Sequence, residues 1–457
     1  MHTDTIAAIA TAMSNSGIGI VRLSGSKAFE IVDRIYRGKK NKKLSIMKSH
    51  TIHYGFICDG EETIDEVLVL LMKEPHSYTG EDTVEIDCHG GAFVVRKVLE
   101  TVIKYGARPA EPGEFTKRAF LNGRMDLSQA EAVSDIISAQ NEYALKNSVS
   151  QLKGSVKLKI SSIREKILYN TAFIESALDD PEHISVDGYG KELKKENYTL
   201  ISQIEDILST SDNGRILKEG INTVIVGKPN AGKSSLLNVL AGKERAIVTE
   251  IAGTTRDILE EHIQLEGLSL NVIDTAGIHE TGDIVEKIGV DKAKEYAGQA
   301  DVVIYVVDGS KELDENDCHI IEMIRDQKVI ILLNKSDLEK QVSKEQISEY
   351  LDKPIIEISA KEETGIKELE QLLKEMFFQG EISFNDEIYI TNIRQKSVLS
   401  DARNSLLKVN ESIENNMPED FYSIDLIDAY ESLGMITGET MGEDLVNEIF
   451  SKFCMGK

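Results

Sequence analysis

Apolar positions change period along the chain, and the changes divide it into stretches. Before residue 120, short strand-like runs occupy Gly19–Leu23, His50–Ile57, Glu66–Met72 and Thr83–Cys88. Helical spacing occupies Ser26–Tyr36 and Gly91–Tyr105, with Gly60, Pro75, Gly80 and Gly106 as punctuation. From Leu127 to about Leu208 apolar residues recur three and four apart, as in Leu127, Ala130, Val133, Ile137 and then Val156, Ile160, Ile163, Ile167. This spacing predicts two long helices and a shorter one, packed as a bundle and interrupted at Pro181 and Gly188. Between 215 and 378 apolar runs alternate with helical patterns. The strands expected there are Thr223–Val226, His262–Leu265, Leu268–Ile273, Val302–Val307, Val329–Leu333 and Ile355–Ile358. Such alternation predicts a mostly parallel sheet with helices on both faces. Beyond about 379 the pattern is helical again. The expected fold is therefore multidomain, α/β plus all-α, with an α/β segment inserted into a helical domain: 1–120, 121–212, 213–378 and 379–457.

Composition narrows the function classes. A chain of 457 residues with 41% apolar residues has material for several cores. Its formal net charge of −26 argues against an indiscriminate nucleic-acid coat. One local exception is 37–48, with six basic residues and no acidic one, which reads equally as a solvated loop or as an RNA- or partner-facing segment. Residues 411–457 lean the other way, with 11 Asp and Glu against two Lys. Four cysteines form no C-x-x-C pair, so neither zinc nor a disulfide framework is expected. No apolar run reaches membrane-spanning length and no leader pattern opens the chain, so a cytoplasmic location is the simplest expectation.

The chemistry concentrates after the apolar run that ends at Val226. Gly227-Lys-Pro-Asn230-Ala231-Gly232-Lys233-Ser234-Ser235 has the G-x-x-x-x-G-K-S spacing and leads into a helical pattern. Glycines let backbone N–H groups turn inward around phosphate oxygens, and the following helix adds its positive end. Lys233 can reach the β and γ phosphates, and the Ser234 hydroxyl can ligate Mg²⁺. Three more motifs follow in order, each after an apolar run. Asp274, Thr275, Ala276 and Gly277 suit the Mg²⁺ shell and the γ-phosphate. Asn334, Lys335 and Asp337 present a carboxylate to the paired N1–H and 2-amino donors of guanine, which adenine lacks, so GTP is expected rather than ATP. Ser359 and Ala360 fit a loop whose backbone reads guanine O6. This set resembles the translation-factor-related class of phosphate-loop GTPases.

Thr255, within Gly253-Thr-Thr-Arg-Asp257, is expected to complete the Mg²⁺ shell from the first switch. Position 278, where Ras-like enzymes place a water-orienting Gln, is Ile, which cannot orient water. Either hydrolysis is slow or other groups substitute. Glu280 and Glu286 are candidates to position water. The missing positive charge could come from another protein's arginine or from a monovalent cation bound by the Asn230 amide.

The chain closes with Phe453-Cys454-Met-Gly-Lys457 after an expected helix Glu443–Ser451. This ending, the inserted GTPase segment and the block Thr79-Gly-Glu-Asp…His89-Gly-Gly91 together resemble the tRNA-modification GTPase family MnmE (TrmE), over essentially the whole chain. The resemblance implies a homodimer whose N-terminal domain binds a 5-formyl- or methylene-tetrahydrofolate through positions matching Arg22, Glu85, Arg124 and Lys457. Arg124 stands where the family often has Lys. The resemblance also implies K⁺ held at Asn230, Thr249, Ile251 and Thr254, with Thr249 and Thr254 lying beside the nucleotide. Catalytic positions by the same match are Glu286, Lys233 and Cys454. The implied function is a K⁺-activated GTPase. With the flavin-dependent partner MnmG, which carries the FAD, it installs a carboxymethylaminomethyl or aminomethyl group at C5 of wobble uridine 34 in certain tRNAs. GTP hydrolysis would drive a conformational cycle. A GTP-switched assembly factor shares the four nucleotide motifs, but such proteins usually carry a basic RNA-binding domain, and here the flanking stretches are acidic or mixed.

Overall fold

The computed structural model describes residues 4–38, 42–185, 188–243, 260–265, 268–274, 295–378, 390–454 and 456. They form two units, Met1–Ile137 with Val149–Ile201 and Val398–Lys457, and Ser138–Ser148 with Ser202–Ser397.

The first unit contains a seven-stranded sheet, ordered β3-β4-β5-β6-β2-β1-β7. Its long strands are β2 (Gly19–Ser24), β4 (Thr51–Asp59), β5 (Glu62–Met72) and β6 (Thr83–Cys88). All of these neighbours pair antiparallel. Alternation along β6 buries Val84, Ile86 and Cys88 while Glu85 and Asp87 face the other way. The buried face packs on helices α1 (Ala28–Ile35) and α2 (Ala92–Lys104) around Val21, Leu23, Val69 and Val98. Three short elements add to the sequence expectation: strand β1 (Ile6–Ile9), strand β3 (Tyr36–Gly38) and the two-residue strand β7 (Arg108–Pro109). Helix α3 (Glu114–Leu121), also unexpected, begins at Gly113, whose φ of 66° a residue with a Cβ rarely adopts.

The helical run also breaks more often than its periodicity predicts. In place of two long helices and a shorter one stand α4 (Leu127–Ser138), α5 (Glu142–Leu152), α6 (Ser155–Asp179) and α7 (Tyr189–Ser209). The breaks have local causes. The Asn141 side chain accepts from Ala144 N at 2.7 Å, capping α5, and Gly154 at φ 93° starts α6. Within the first unit α6 packs along a C-terminal helix, Glu419–Thr437. The nearly buried Arg164 on α6 donates to Tyr430 O at 3.2 Å and pairs with Glu439 at 2.5 Å. The last helix, Glu443–Ser451, sends Val446 and Phe450 into a cluster with Ala119, Leu127 and Ala130.

The second unit is a six-stranded sheet in the order β13-β12-β11-β8-β10-β9. Helix α8 (Ser211–Glu219) leads into strand β8 (Ile221–Val226), which lies between β11 (Val302–Asp308) and β10 (Leu268–Asp274), parallel to both. Strands β12 (Val329–Asn334) and β13 (Ile355–Glu357) extend one edge in parallel, and β9 (Glu260–Leu265) closes the other antiparallel. Cores form on both faces: Ile225, Ile304 and Leu332 on one, Val224, Val303 and Leu333 on the other. The expected mostly parallel, doubly covered sheet is what forms. Runs buried on both faces, such as β11 and β12, read as continuous apolar stretches because neither face meets water. Their carboxyl ends carry Val226, Asp274, Asp308 and Asn334, so the motifs that follow them gather at one end of the sheet.

Candidate functional site

Glycine geometry makes the phosphate loop. At φ 151°, a Cβ on Gly227 would stand 2.4 Å from Val306 O. At φ 101°, a Cβ on Gly232 would stand 2.1 Å from Asn334 Nδ2. A side chain at either position would strain the backbone and displace the atom it meets. Asn230 takes a left-handed φ of 65° on the exposed outer side of the loop. Helix α9 (Lys233–Lys243) starts at once, presenting its first-turn N–H groups, with Ser234 and Ser235 exposed there. Lys233 is nearly buried, and its ammonium donates to Gly227 O at 2.7 Å and Lys228 O at 3.0 Å. Its charge is thus held inside the loop, where phosphate oxygens would be received.

Asn334 joins this loop to the base-reading loops. It is buried at the end of β12. Its Nδ2 donates to Ala231 O at 2.8 Å, and its Oδ1 accepts from Ala360 N at 3.1 Å. Lys335, at φ 65°, donates to Asp308 Oδ2 at 2.7 Å. Burial pushes the Asp308 carboxyl up, but Lys335 and Ser310 outweigh it and hold the group below the usual carboxylate range. Asp337 is exposed and accepts from Ser359 Oγ at 2.6 Å, a bond that holds its carboxyl below the usual carboxylate range. A carboxylate has four acceptor sites, so one bond to Ser359 leaves capacity for two donors of a base. Ala231, Gly232, Lys233, Asn334, Lys335, Asp337, Ser359 and Ala360 are thereby brought together. Asp308 was not singled out from sequence, although it ends an apolar strand run just as Asp274 and Asn334 do. Asp274 ends β10 in backbone, and its side chain lies outside the described residues. Thr249, Ile251, Thr254, Thr255, Thr275, Ala276, Gly277, Ile278, Glu280 and Glu286 also lie outside them.

A second polar cluster lies in the first unit. Register sets Arg22 on β2 directly opposite Glu85 on β6, and Arg22 Nε donates to Glu85 Oε1 at 2.7 Å. The Arg22 Nη1 donates to Gly456 O at 3.3 Å. The Arg22 guanidinium stands 5.4 Å from the Tyr78 ring and 5.7 Å from Phe115, while Arg124 stands 4.9 Å from the same tyrosine. The Tyr78 hydroxyl shares a hydrogen bond with Thr116 at 2.9 Å. Beneath the Tyr78 loop, Glu81 accepts from Ser24 Oγ at 2.8 Å and from the buried Arg118 at 3.1 Å. Arg118 also pairs with Asp4 and Glu114 at 3.0 Å each. Burial pushes the carboxyls of Asp4 and Glu114 up, and Arg108 and Arg118 pull both below the usual range. The chain's end is pinned beside this cluster: Gly113 N donates to Cys454 O at 3.2 Å, and Gly456 is buried with φ 84°. Cys454 is exposed, and Lys457 lies outside the described residues. Tyr78, Phe115 and Arg118 were not singled out from sequence. Tyr78 immediately precedes the Thr79-Gly-Glu-Asp block, and the other two lie on helix α3, whose existence periodicity did not indicate.

Two family models match the chain. "GTP-binding protein TrmE N-terminus" covers residues 5–124, and "MnmE helical domain" covers 127–454. A protein of Lachnoclostridium phytofermentans described as tRNA modification GTPase MnmE is 61% identical over 458 residues, covering 100% of both chains. Proteins of the same description from Acetivibrio thermocellus and Clostridioides difficile are 51% and 47% identical, each over 99% of both chains. Among solved structures, the G domain of the T. maritima FeoB iron transporter is 28% identical, covering 35% of this chain and 97% of that one with a TM-score of 0.27.

Proposed function

The chain belongs to the MnmE family of tRNA modification GTPases, and from that membership we propose that its GTP hydrolysis serves folate-dependent modification of tRNA wobble uridine. It is a GTP hydrolase. Asn334, which ties the phosphate loop to the base-reading loop by two hydrogen bonds, is the observation that carries the nucleotide half. Lys233 and the α9 amides receive the phosphates, and Asp337 with the Ser359–Ala360 loop selects guanine.

In the proposed reading, Mg²⁺ is held by Ser234 and Thr255, and K⁺ by Asn230, Thr249, Ile251 and Thr254. Bound there, the two ions would neutralise charge on the phosphates, K⁺ in the place where other GTPases use an arginine. The described donors fit. Ser234 is exposed on the first turn of α9, and the exposed Asn230 amide makes no hydrogen bond to the described residues, which leaves a neutral oxygen donor suited to a hard cation. Asp274 would orient the Mg²⁺ shell, and Glu286 would position the attacking water where Ile278 cannot.

The folate half rests on the Arg22–Glu85–Tyr78–Arg124 cluster. A tetrahydrofolate carries a glutamate tail and a guanidine-like pterin edge, and the cluster offers cations, a carboxylate and an aromatic face together. Lys457 would add a further cation, one residue beyond Gly456, and Cys454 would place a thiol two residues before it. The one-carbon unit would go to C5 of uridine 34 in certain tRNAs, as a carboxymethylaminomethyl or aminomethyl group. The flavoprotein partner MnmG would supply the FAD chemistry. The working form is a homodimer in the cytoplasm. No helix among the described residues is long and apolar enough to cross a membrane. The domain assignment proposed is 1–120 for folate binding and dimerisation, 213–378 for the GTPase, and 121–212 with 379–457 for the helical domain.

The decisive experiment is mass spectrometry of wobble nucleosides from cells with and without the gene. Loss of C5-substituted uridine supports the reading, and an unchanged nucleoside profile sinks it. Turnover of purified protein in K⁺ should exceed that in Na⁺; equal slow rates remove the cation assignment.

A further inference from the structure

Lys228, the first variable residue of the phosphate loop, is not among the residues the motif assigns to nucleotide. Its ammonium meets Asp317 Oδ2 at 2.6 Å and Asp314 Oδ2 at 2.9 Å. Both aspartates belong to the start of helix α10 (Glu315–Ile324), where Asp314 is the N-cap and Asp317 closes a capping box. Asp317 is 1% exposed, and its other oxygen accepts from the buried Tyr305 hydroxyl at 2.8 Å. The cap hydrogen bonds are complete without Lys228: Asp314 accepts from Asn316 N and Asp317 N, and Asp317 accepts from Asp314 N. What the cap lacks is a countercharge for two carboxylates, one of them buried, and Lys228 supplies it.

The same residue also faces into the loop. Its carbonyl accepts from the Lys233 ammonium at 3.0 Å and from Ala231 N at 3.3 Å. The loop holds three positive-φ residues, Gly227, Asn230 and Gly232. The two glycines take that state freely and so do not hold the loop in one shape by themselves, while Asn230 takes it at a cost that its surroundings must offset. On one side Asn334 holds the loop by its grip on Ala231 O. On the other side the Lys228 side chain is fastened to α10, through Asp317, and to strand β11, through Tyr305.

We propose that Lys228 is a positioning residue for nucleotide binding: its ion pairs with Asp314 and Asp317 fasten the phosphate loop to α10 and fix the carbonyl that holds Lys233. Losing the tether frees the loop and leaves two unbalanced carboxylates beside a site that must receive anionic phosphates. Both effects weaken binding of any guanine nucleotide, and neither touches the group that positions water. The proposal rests on the nucleotide reading given above.

The test uses the full chain, with GDP affinity, GTP KM and kcat, and thermal unfolding measured on the same preparations. Lys228→Met should raise the GDP Kd and GTP KM about tenfold, the order expected for a lost charge-assisted pair, with saturated kcat within about twofold. Lys228→Arg should restore both to within about twofold, because a guanidinium also bridges two carboxylates. Asp314→Asn keeps an N-cap and removes one carboxylate, so it should give a smaller rise of about threefold and reports on the tether even if Lys228→Met does not fold. Unchanged Kd and KM in Lys228→Met or Asp314→Asn, with only a lower unfolding temperature, would overturn the proposal and leave a fold brace. So would an equal loss of kcat at unchanged KM. Wild-type chain that binds no GDP overturns the nucleotide reading itself and the tether with it; wild-type binding with unaffected variants overturns the tether alone.

Discussion

Asn334 and Arg22 each bridge remote parts of the chain, 103 residues apart for Asn334 and Ala231, 434 apart for Arg22 and Gly456. They do so by different means. Asn334 uses a neutral amide to clamp two backbone loops whose shapes are already dictated by glycines and strand ends. Arg22 uses a charged side chain that is mostly buried, paired with a carboxylate across two strands and flanked by aromatic rings. The nucleotide site is therefore made chiefly of backbone, with side chains as staples. The Arg22 cluster is made chiefly of side chains, with backbone as scaffold. A backbone site is sensitive to anything that adds atoms to the loop. A side-chain site is sensitive to which charge stands where.

The harshest way to break this contrast is Gly232→Ala. The added methyl would sit 2.1 Å from Asn334 Nδ2 on a backbone at φ 101°, so it strains the loop and dislodges its staple at once. Nucleotide affinity should fall by about a thousandfold or more, roughly 4 kcal/mol, with 5-formyltetrahydrofolate binding retained. Isothermal titration with GDP and then with the folate reads both. Retained GDP binding would mean that the loop is softer than a backbone-built site allows.

Arg22→Met tests the other side. Glu85 would lose its partner while staying largely buried, at a cost of about 2 kcal/mol in stability. Folate affinity should drop by about thirtyfold while GDP affinity stays within error. Arg22→Lys should recover only part of the loss, because an ammonium cannot reproduce the fork that meets Glu85 and Gly456 together. Full recovery would show that charge alone matters there.

The smallest effect expected is in pH response, which should be visible on the side-chain-built unit. His89, directly after β6, is exposed and hydrogen-bonded to Asp65 at 2.7 Å; that bond, and then the carboxylate's charge, raise the imidazole above its usual range. The raised group stabilises the fold fully below the unfolded value near 6.5, and the contribution fades as pH climbs through the higher folded value. An NMR titration should place His89 above 6.5, and Asp65→Asn should bring it back down. An unshifted His89 in the wild type would mean that this ion pair does not persist in solution.

Much of this was legible in the residues. Strands β2 and β6, the six strands of the nucleotide unit and the last helix all lie where period and punctuation put them, to within a few residues. Helix α3 escaped because it is only eight residues long and follows Pro109 and Pro112, so periodicity has too few turns to register. The extra breaks before α5 and α6 were written in Asn141 and Gly154, but a capping signal inside an apolar-periodic run is easily overridden by the run.

Sequence alone determined where the phosphate loop turns and which strand ends carry Asp274, Asp308 and Asn334. Those features depend on a few adjacent residues: glycine's freedom at φ above zero, and apolar runs long enough to be buried on both faces. Tertiary structure alone decided the pairings. Arg22 meets Glu85 because antiparallel register sets β2 against β6. Gly456 reaches Arg22 because Phe450 and its neighbours dock the last helix on α3 and α4. Lys228 finds Asp317 because α10 starts beside the loop. A charged side chain can reach any partner within several ångströms, so its choice is settled only when packing has brought one there and buried the pair.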